Sequence, residues 1–115
     1  MKGLDRTSLT QVAEYFQSLA EPTRLCLLNA LRDGELTVGE LAEAADSTPA
    51  NVSKHLSLLA KAGFVARRTQ GTSVYYSVAD PDVYALCDLV CGHVAKNLSA
   101  QASAHAKFRK AARRT

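Results

Sequence analysis

Apolar positions recur at helical spacing from near the start of the chain. Over 8–20, Leu9, Val12, Phe16 and Leu19 share a face, with Ser8 in the capping position. A second helix follows. Pro22 suits its first turn, Leu25, Leu28 and Leu31 form its inward set, and Gly34 ends it. The extended link Glu35-Leu36-Thr37-Val38 leads to a short helix over 38–46 with Leu41 and Ala45 inward. Next comes a helix over 49–62, capped by Thr48 and opened by Pro49. Val52, Leu56 and Leu59 form its buried stripe, and Gly63 stops it. The period then changes. Two β-prone runs, 64–68 and 73–78, flank the turn Thr69-Gln70-Gly71-Thr72 and predict a hairpin. Asp80-Pro81-Asp82 opens a long last helix over 80–106, striped by Val83, Leu86, Val90, Val94 and Leu98. Beyond residue 99 the chain turns alanine-rich and polar, and 107–115 is expected to fray as a basic tail.

This order predicts a mainly α fold with a small β-hairpin (α+β), within one domain spanning 1–115. Two short helices joined by a tight bend, with a hairpin after the second, describe a winged helix-turn-helix: 38–62 the helix-turn-helix, 64–78 the wing.

The bend at Asp46-Ser47-Thr48-Pro49 sets the chemistry. A helix that reads DNA needs small or polar residues at its N-terminal end, where backbone approaches phosphate. It also needs hydrogen-bonding side chains toward the major groove and an apolar anchoring face. Asn51 is suited to an adenine edge, and Lys54 to a guanine or a phosphate. Ser47, Thr48 and Ser53 fit phosphate contacts that fix register. His55 has two readings, a DNA contact or packing beside Leu59. Arg67 and Arg68 precede the turn of the hairpin, where a wing meets the backbone or the minor groove.

Composition narrows the partner. The net charge is +3, yet the last nine residues carry Lys107, Arg109, Lys110, Arg113 and Arg114 and no acid. Without them nine basic residues face eleven acidic ones. Positive charge is therefore local, as a reading helix and wing require, rather than spread for any polyanion. The tail itself reads either as a reach to flanking phosphates or as a solvated end. No apolar run long enough to span a membrane and no signal peptide is evident, so a cytoplasmic protein without membrane contact is expected. Cys26, Cys87 and Cys91 are then free thiols. There is no phosphate-cradling glycine loop and no nucleophile–base arrangement. His55, His93 and His105 lack evident catalytic partners, and an enzyme is not expected.

Three segments together carry a family resemblance: LAEPTRLCLLNAL, ELTVGELAEA and NVSKHLSLLAKAGFVARRTQGTSVYYSV. With their A-x-P-x-R-L entry, V-S-x-H-L helix and R-x-x-x-G-x-x-x-Y-Y wing, the chain resembles the ArsR/SmtB family of metal-responsive repressors over roughly 16–95. The resemblance implies a homodimer joined through its first and last helices. It also implies binding to an inverted-repeat operator in double-stranded DNA and release by an inducer. The long last helix supports a dimer separately, because its continuous apolar stripe exceeds what one small core can cover.

Family members bind metals at several places. A thiolate site near ELTVGEL is missing here, since Thr37 and Gly39 stand where sulfur is needed. A second family site, on the last helix, corresponds to Asp80, Asp82, His93 and Lys96; the lysine brings no lone pair, so only a partial site remains. Asp80 and Asp82 also serve as ordinary helix caps. Cys87 and Cys91, one turn apart, form a third candidate. Two thiolates there suit arsenite, antimonite, cadmium or zinc, or a redox or sulfur signal; bordering the stripe of Leu86, Val90 and Val94, they read equally well as small buried hydrophobes of the core. Cys26, within Leu25-Cys26-Leu27-Leu28, is expected in the core. Two alternatives stay open: a winged-helix regulator with no metal effector, and a winged helix that binds protein.

Overall fold

The computed structural model describes residues 2–114, with side chains through Lys107. Along the chain run α1 (Arg6–Leu19), α2 (Pro22–Ala30), a 3-10 turn (Leu31–Asp33), β1 (Leu36–Thr37), α3 (Val38–Ala44), α4 (Pro49–Lys61), β2 (Val65–Gln70), β3 (Ser73–Val78) and α5 (Asp82–Arg114). The chain divides into two compact units, one ending at Asp80 and one beginning at Pro81.

In the first unit every short helix begins on a side-chain cap. Asp5, not Ser8, caps α1: its carboxylate accepts from the Ser8 backbone N–H at 2.8 Å, so the helix starts two residues before the expected point. Glu21 caps α2 ahead of Pro22, and Thr37 with Glu40 closes a reciprocal capping box on α3. Thr48 caps α4 with Pro49 in its first turn, as the sequence indicated. These carboxylates accept backbone N–H bonds in their ionised form. Accordingly Asp5, Glu21 and Glu40 titrate below their ordinary values, with the bonds from Ser8, Arg24 and Thr37 as the leading causes.

The core gathers Leu27, Leu28 and Leu31 with Leu41 of α3, Val52, Leu56 and Leu59 of α4, and Phe64 and Tyr76. Leu25, expected inward, is 42% exposed. Helix α2 carries apolar side chains on two overlapping faces, and the face with Leu27 and Leu28 is the buried one. Cys26, expected in the core, is exposed as well, with its Sγ 3.7 Å from the Ala44 carbonyl. Helix α1 rests on this body through Leu19 and through Tyr15, whose ring lies 4.7 Å from that of Phe64. Its predicted stripe is otherwise open: Leu9 and Phe16 are exposed and Val12 is half-buried, and Leu4, Val12, Tyr15 and Phe16 line a shallow groove.

The hairpin gains a third strand. The link 36–37 pairs antiparallel with β3, Leu36 against Tyr76 and Thr37 against Tyr75, giving the order β1-β3-β2. Between β2 and β3 the ladder runs from Val65↔Val78 to Gln70↔Ser73, leaving a two-residue turn at Gly71-Thr72. Gly71 at φ 59° supplies the positive angle that a tight hairpin needs at its first central position.

Considered alone, α5 is 33 residues long, about 50 Å at the α-helical rise. It continues through the segment expected to fray, because its alanines carry the highest helix propensity. The side chains of the basic tail beyond Lys107 lie outside the described residues. Along the helix Leu89, Val90, Val94 and Leu98 are all exposed, Leu89 at 73%. Among the described residues no helix is long and apolar enough to cross a membrane.

Candidate nucleic-acid interface

The helix-turn-helix bend is built from backbone chemistry. Past the end of α3, Asp46 adopts φ 49°, a left-handed conformation in which aspartate is tolerated better than most residues. The Asp46 N–H donates to the Glu43 carbonyl at 3.2 Å, and the Ser47 N–H to the Ala42 carbonyl at 3.0 Å. This paired closure stops α3 within one residue and turns the chain directly into the Thr48 cap. Helix α4 ends in the same way. Gly63 at φ 89° lets its own N–H reach the Ala60 carbonyl while the Phe64 N–H reaches that of Leu59. Helix α4 is thus bounded at both ends by fixed geometry.

Between those ends α4 is two-sided. Val52, Leu56 and Leu59 are fully buried, whereas Thr48, Asn51 and Lys54 are exposed and Ser47, Ser53 and His55 half-buried. The first turn holds no acidic residue to offset the positive end of the helix dipole. The Asn51 Nδ2 amide donates to Ser47 Oγ at 2.9 Å, and Thr48 Oγ1 accepts from the Asn51 backbone N–H at 3.1 Å. Each hydroxyl oxygen is thereby used as an acceptor, leaving its own O–H to donate. The Asn51 amide keeps one N–H and its carbonyl oxygen outward, the pair that an adenine edge takes. The outer face also carries Ala50, Ser57 and Leu58 in line with Lys54. Sequence reasoning passed over these because small and apolar side chains do not announce a polar interface; their helical spacing from Lys54 was the available signal.

His55 does not join that face freely. Its Nδ1 lies 3.7 Å from Glu21 Oε2 and 3.4 Å from Arg24 Nη1, and Arg24 Nη2 donates to the Gln17 carbonyl at 3.2 Å. The cluster ties α4 to the start of α2 and the end of α1. Within it the buried Arg24 Nε has no hydrogen-bond partner.

The two wing arginines part company. Adjacent strand residues point to opposite faces, so Arg67 shares a face with Tyr76, and Arg68 with Tyr75. Arg67 is exposed. Arg68 is engaged three ways: Nη2 and Nε donate to the Glu35 carboxylate at 2.6 and 3.1 Å, Nη1 donates to Gln70 Oε1 at 2.7 Å, and the guanidinium sits 4.6 Å from the centre of the Tyr75 ring. Those bonds hold Glu35 below the usual carboxylate range and push Arg68 above its ordinary value.

On α5 the candidate inducer residues are less concentrated. Cys87 is half-buried, while Cys91 and His93 are exposed. Asp80 and Asp82 are exposed, the latter in the first turn of α5. Among the described residues no three His, Cys, Asp or Glu side chains come together as a metal cluster within one chain.

Comparison with known proteins points the same way. The family described as "Bacterial regulatory protein, arsR family" matches residues 21–67. A "Probable mercury resistance operon repressor" of Streptomyces lividans is 42% identical over 88 residues, 76% of this chain and 70% of that protein. The crystal structure of M. tuberculosis Rv0081 superposes with a TM-score of 0.77 at 33% identity, covering 84% of this chain and 98% of that one. The solution structure of a homodimeric winged helix-turn-helix DNA-binding domain, Mb0332 from Mycobacterium bovis, gives a TM-score of 0.71 at 34% identity over 85% of this chain and 94% of that one.

Proposed function

The chain belongs to the arsR family of bacterial regulatory proteins, and from that premise we propose that it is a repressor whose homodimer grips an inverted-repeat operator and lets go when an inducer binds. The observation that carries this reading is α4: a capped, acid-free helix with a buried apolar face and an outer face of hydrogen-bonding side chains. Thr48, Ser47 and Ser53 hold phosphates through hydroxyl donors at the positive helix end. Asn51 and Lys54 face the base edges, and Arg67 extends the grip along the wing.

The second copy is the natural cover for two apolar surfaces. The α1 groove and the α5 stripe of Leu89, Val90, Val94 and Leu98 are each exposed in one chain. Burying both in a symmetric contact would stabilise the dimer at about 25 cal/mol per Å² of apolar area. The dimer would set the spacing of the two α4 helices, and a ligand that alters it would alter that spacing.

For the inducer, Cys87 and Cys91 are four residues apart on α5 and suit a thiophilic ion such as arsenite, antimonite, cadmium or zinc. No third donor joins them within one chain among the described residues, so a donor from the second copy would complete the set. Asp80 and Asp82 fit helix capping better than a site of their own, given that Lys96 stands where a fourth ligand would be.

The test uses a duplex selected from a random library by the wild-type dimer. Lys54→Ala and Arg67→Gln should weaken binding and reduce its salt dependence. Release by a panel of thiophilic ions should disappear in Cys87→Ser/Cys91→Ser. A wild-type protein that selects no duplex would overturn the DNA reading; release that survives the double substitution would overturn the thiol reading alone.

A further inference from the structure

Resting on the DNA reading above, we infer that Arg68 is not a DNA contact but a positioning residue, which with Glu35 locks the wing across the face of the sheet. Glu35 immediately precedes β1, Tyr75 lies on the central strand β3, and Arg68 lies on β2. Arg68 crosses the Tyr75 ring at 4.6 Å and ends on both oxygens of Glu35, so one side chain reaches from β2 across β3 to the residue that leads into β1. β1 runs directly into α3, the first helix of the helix-turn-helix, through the Thr37 cap. The clamp therefore fixes the wing to the frame that carries α4, from the side opposite Arg67.

Donor accounting supports the assignment. A guanidinium has five N–H groups. Three are directed at Glu35 and Gln70, and one face of the plane is covered by Tyr75. To meet a phosphate in the same fork geometry Arg68 would have to release Glu35, exposing a carboxylate beside the DNA backbone. Arg67 meets no such conflict. On this account neighbouring arginines divide the work, one holding the wing and the other touching DNA.

The two roles give opposite signs for one substitution. Glu35→Gln removes a negative charge and leaves every basic group in place. If Arg68 served as a contact restrained by Glu35, the substitution would tighten binding to the selected duplex. As a clamp, its loss should weaken binding several-fold, and Arg68→Gln in the same background should add little. Arg68→Lys keeps the charge but loses the planar fork, and should be as weak as Arg68→Gln. Arg67→Gln should lower the salt slope by about 0.9 for each phosphate it no longer neutralises, and Arg68→Lys should leave the slope unchanged. Tighter binding by Glu35→Gln, or wild-type binding by Arg68→Lys, would overturn the inference. Should the wild-type protein bind no duplex, the DNA reading fails while the clamp is still decided by amide hydrogen exchange. Faster exchange along β3 in both Glu35→Gln and Arg68→Lys would support it, and unchanged exchange would overturn it.

Discussion

Ser47→Ala offers the sharpest test of the proposal that α4 carries sequence preference. Ser47 Oγ accepts one N–H of the Asn51 amide at 2.9 Å, which fixes the end of that amide bearing nitrogen. Without it the exposed amide is free to flip, and only one orientation matches an adenine edge. The minimum loss per half-site is RT ln 2, about 0.4 kcal/mol; if the full hydrogen bond contributed to orientation, the loss approaches about 1 kcal/mol. A dimer with two half-sites doubles these to about 0.8–2 kcal/mol, or roughly four- to thirtyfold in the ratio of specific to random-sequence affinity. The ratio is the proper readout, because Ser47 is also proposed to touch phosphate. Removing a phosphate interaction weakens both affinities together, whereas releasing the amide weakens the specific one. Fluorescence anisotropy titrations on the selected duplex and a scrambled one of equal length measure it, with Ser47→Thr keeping the hydroxyl as a control. An unchanged ratio in Ser47→Ala would refute the orientation argument.

Other expectations concern the frame. Leu56→Ala should cost about 2–5 kcal/mol in urea unfolding, because Leu56 is fully buried where α4 meets the core. Gly63→Ala should cost about 1–2 kcal/mol on the same assay from backbone strain alone: φ is +89° and no atom lies within 4 Å of the added Cβ. Acid should destabilise the fold through Asp5, Glu21, Glu35 and Glu40. Their folded values lie below the ordinary 3.8 and 4.5, so their contribution is complete above those values and is lost as pH falls through the lower, folded ones. Urea midpoints should therefore hold steady at higher pH and drop below about pH 4.5, less so in Glu40→Gln; a midpoint that stays level down to about pH 3 would count against the capping account.

What the sequence revealed depended on how local each cause was. Thr48-Pro49 and Gly63 mark α4 because caps and stops act within a few residues, and the hairpin followed from its change of period. The two-residue β1 was invisible, since a pair of residues shows no alternation and acquires strand character only from Tyr75 and Tyr76 across the ladder. Asp5 and Ser8 are both good caps three residues apart, and the choice between them rests on where α1 begins. Leu25 and Leu27 compete in the same way for the inward face of α2, and packing decides. On α4, the outward placement of Thr48, Asn51 and Lys54 was legible from helical spacing. The partners of Arg68 and His55 were not: Glu35 and Arg24 stand 33 and 31 positions away, beyond any periodic signal. The Ser47–Asn51 bond is different, being a one-turn contact that helical spacing alone could have shown.

The proposed function requires two α4 helices presented in step to one face of B-form DNA. The direct measurement is affinity for the selected inverted repeat after about five base pairs, half a helical turn, are inserted between its halves. Collapse to the affinity of scrambled DNA is the expected result, because a fixed dimer cannot follow a half-site to the opposite side of the duplex. Affinity that ignores the insertion, or that is matched by a single half-site, would contradict it.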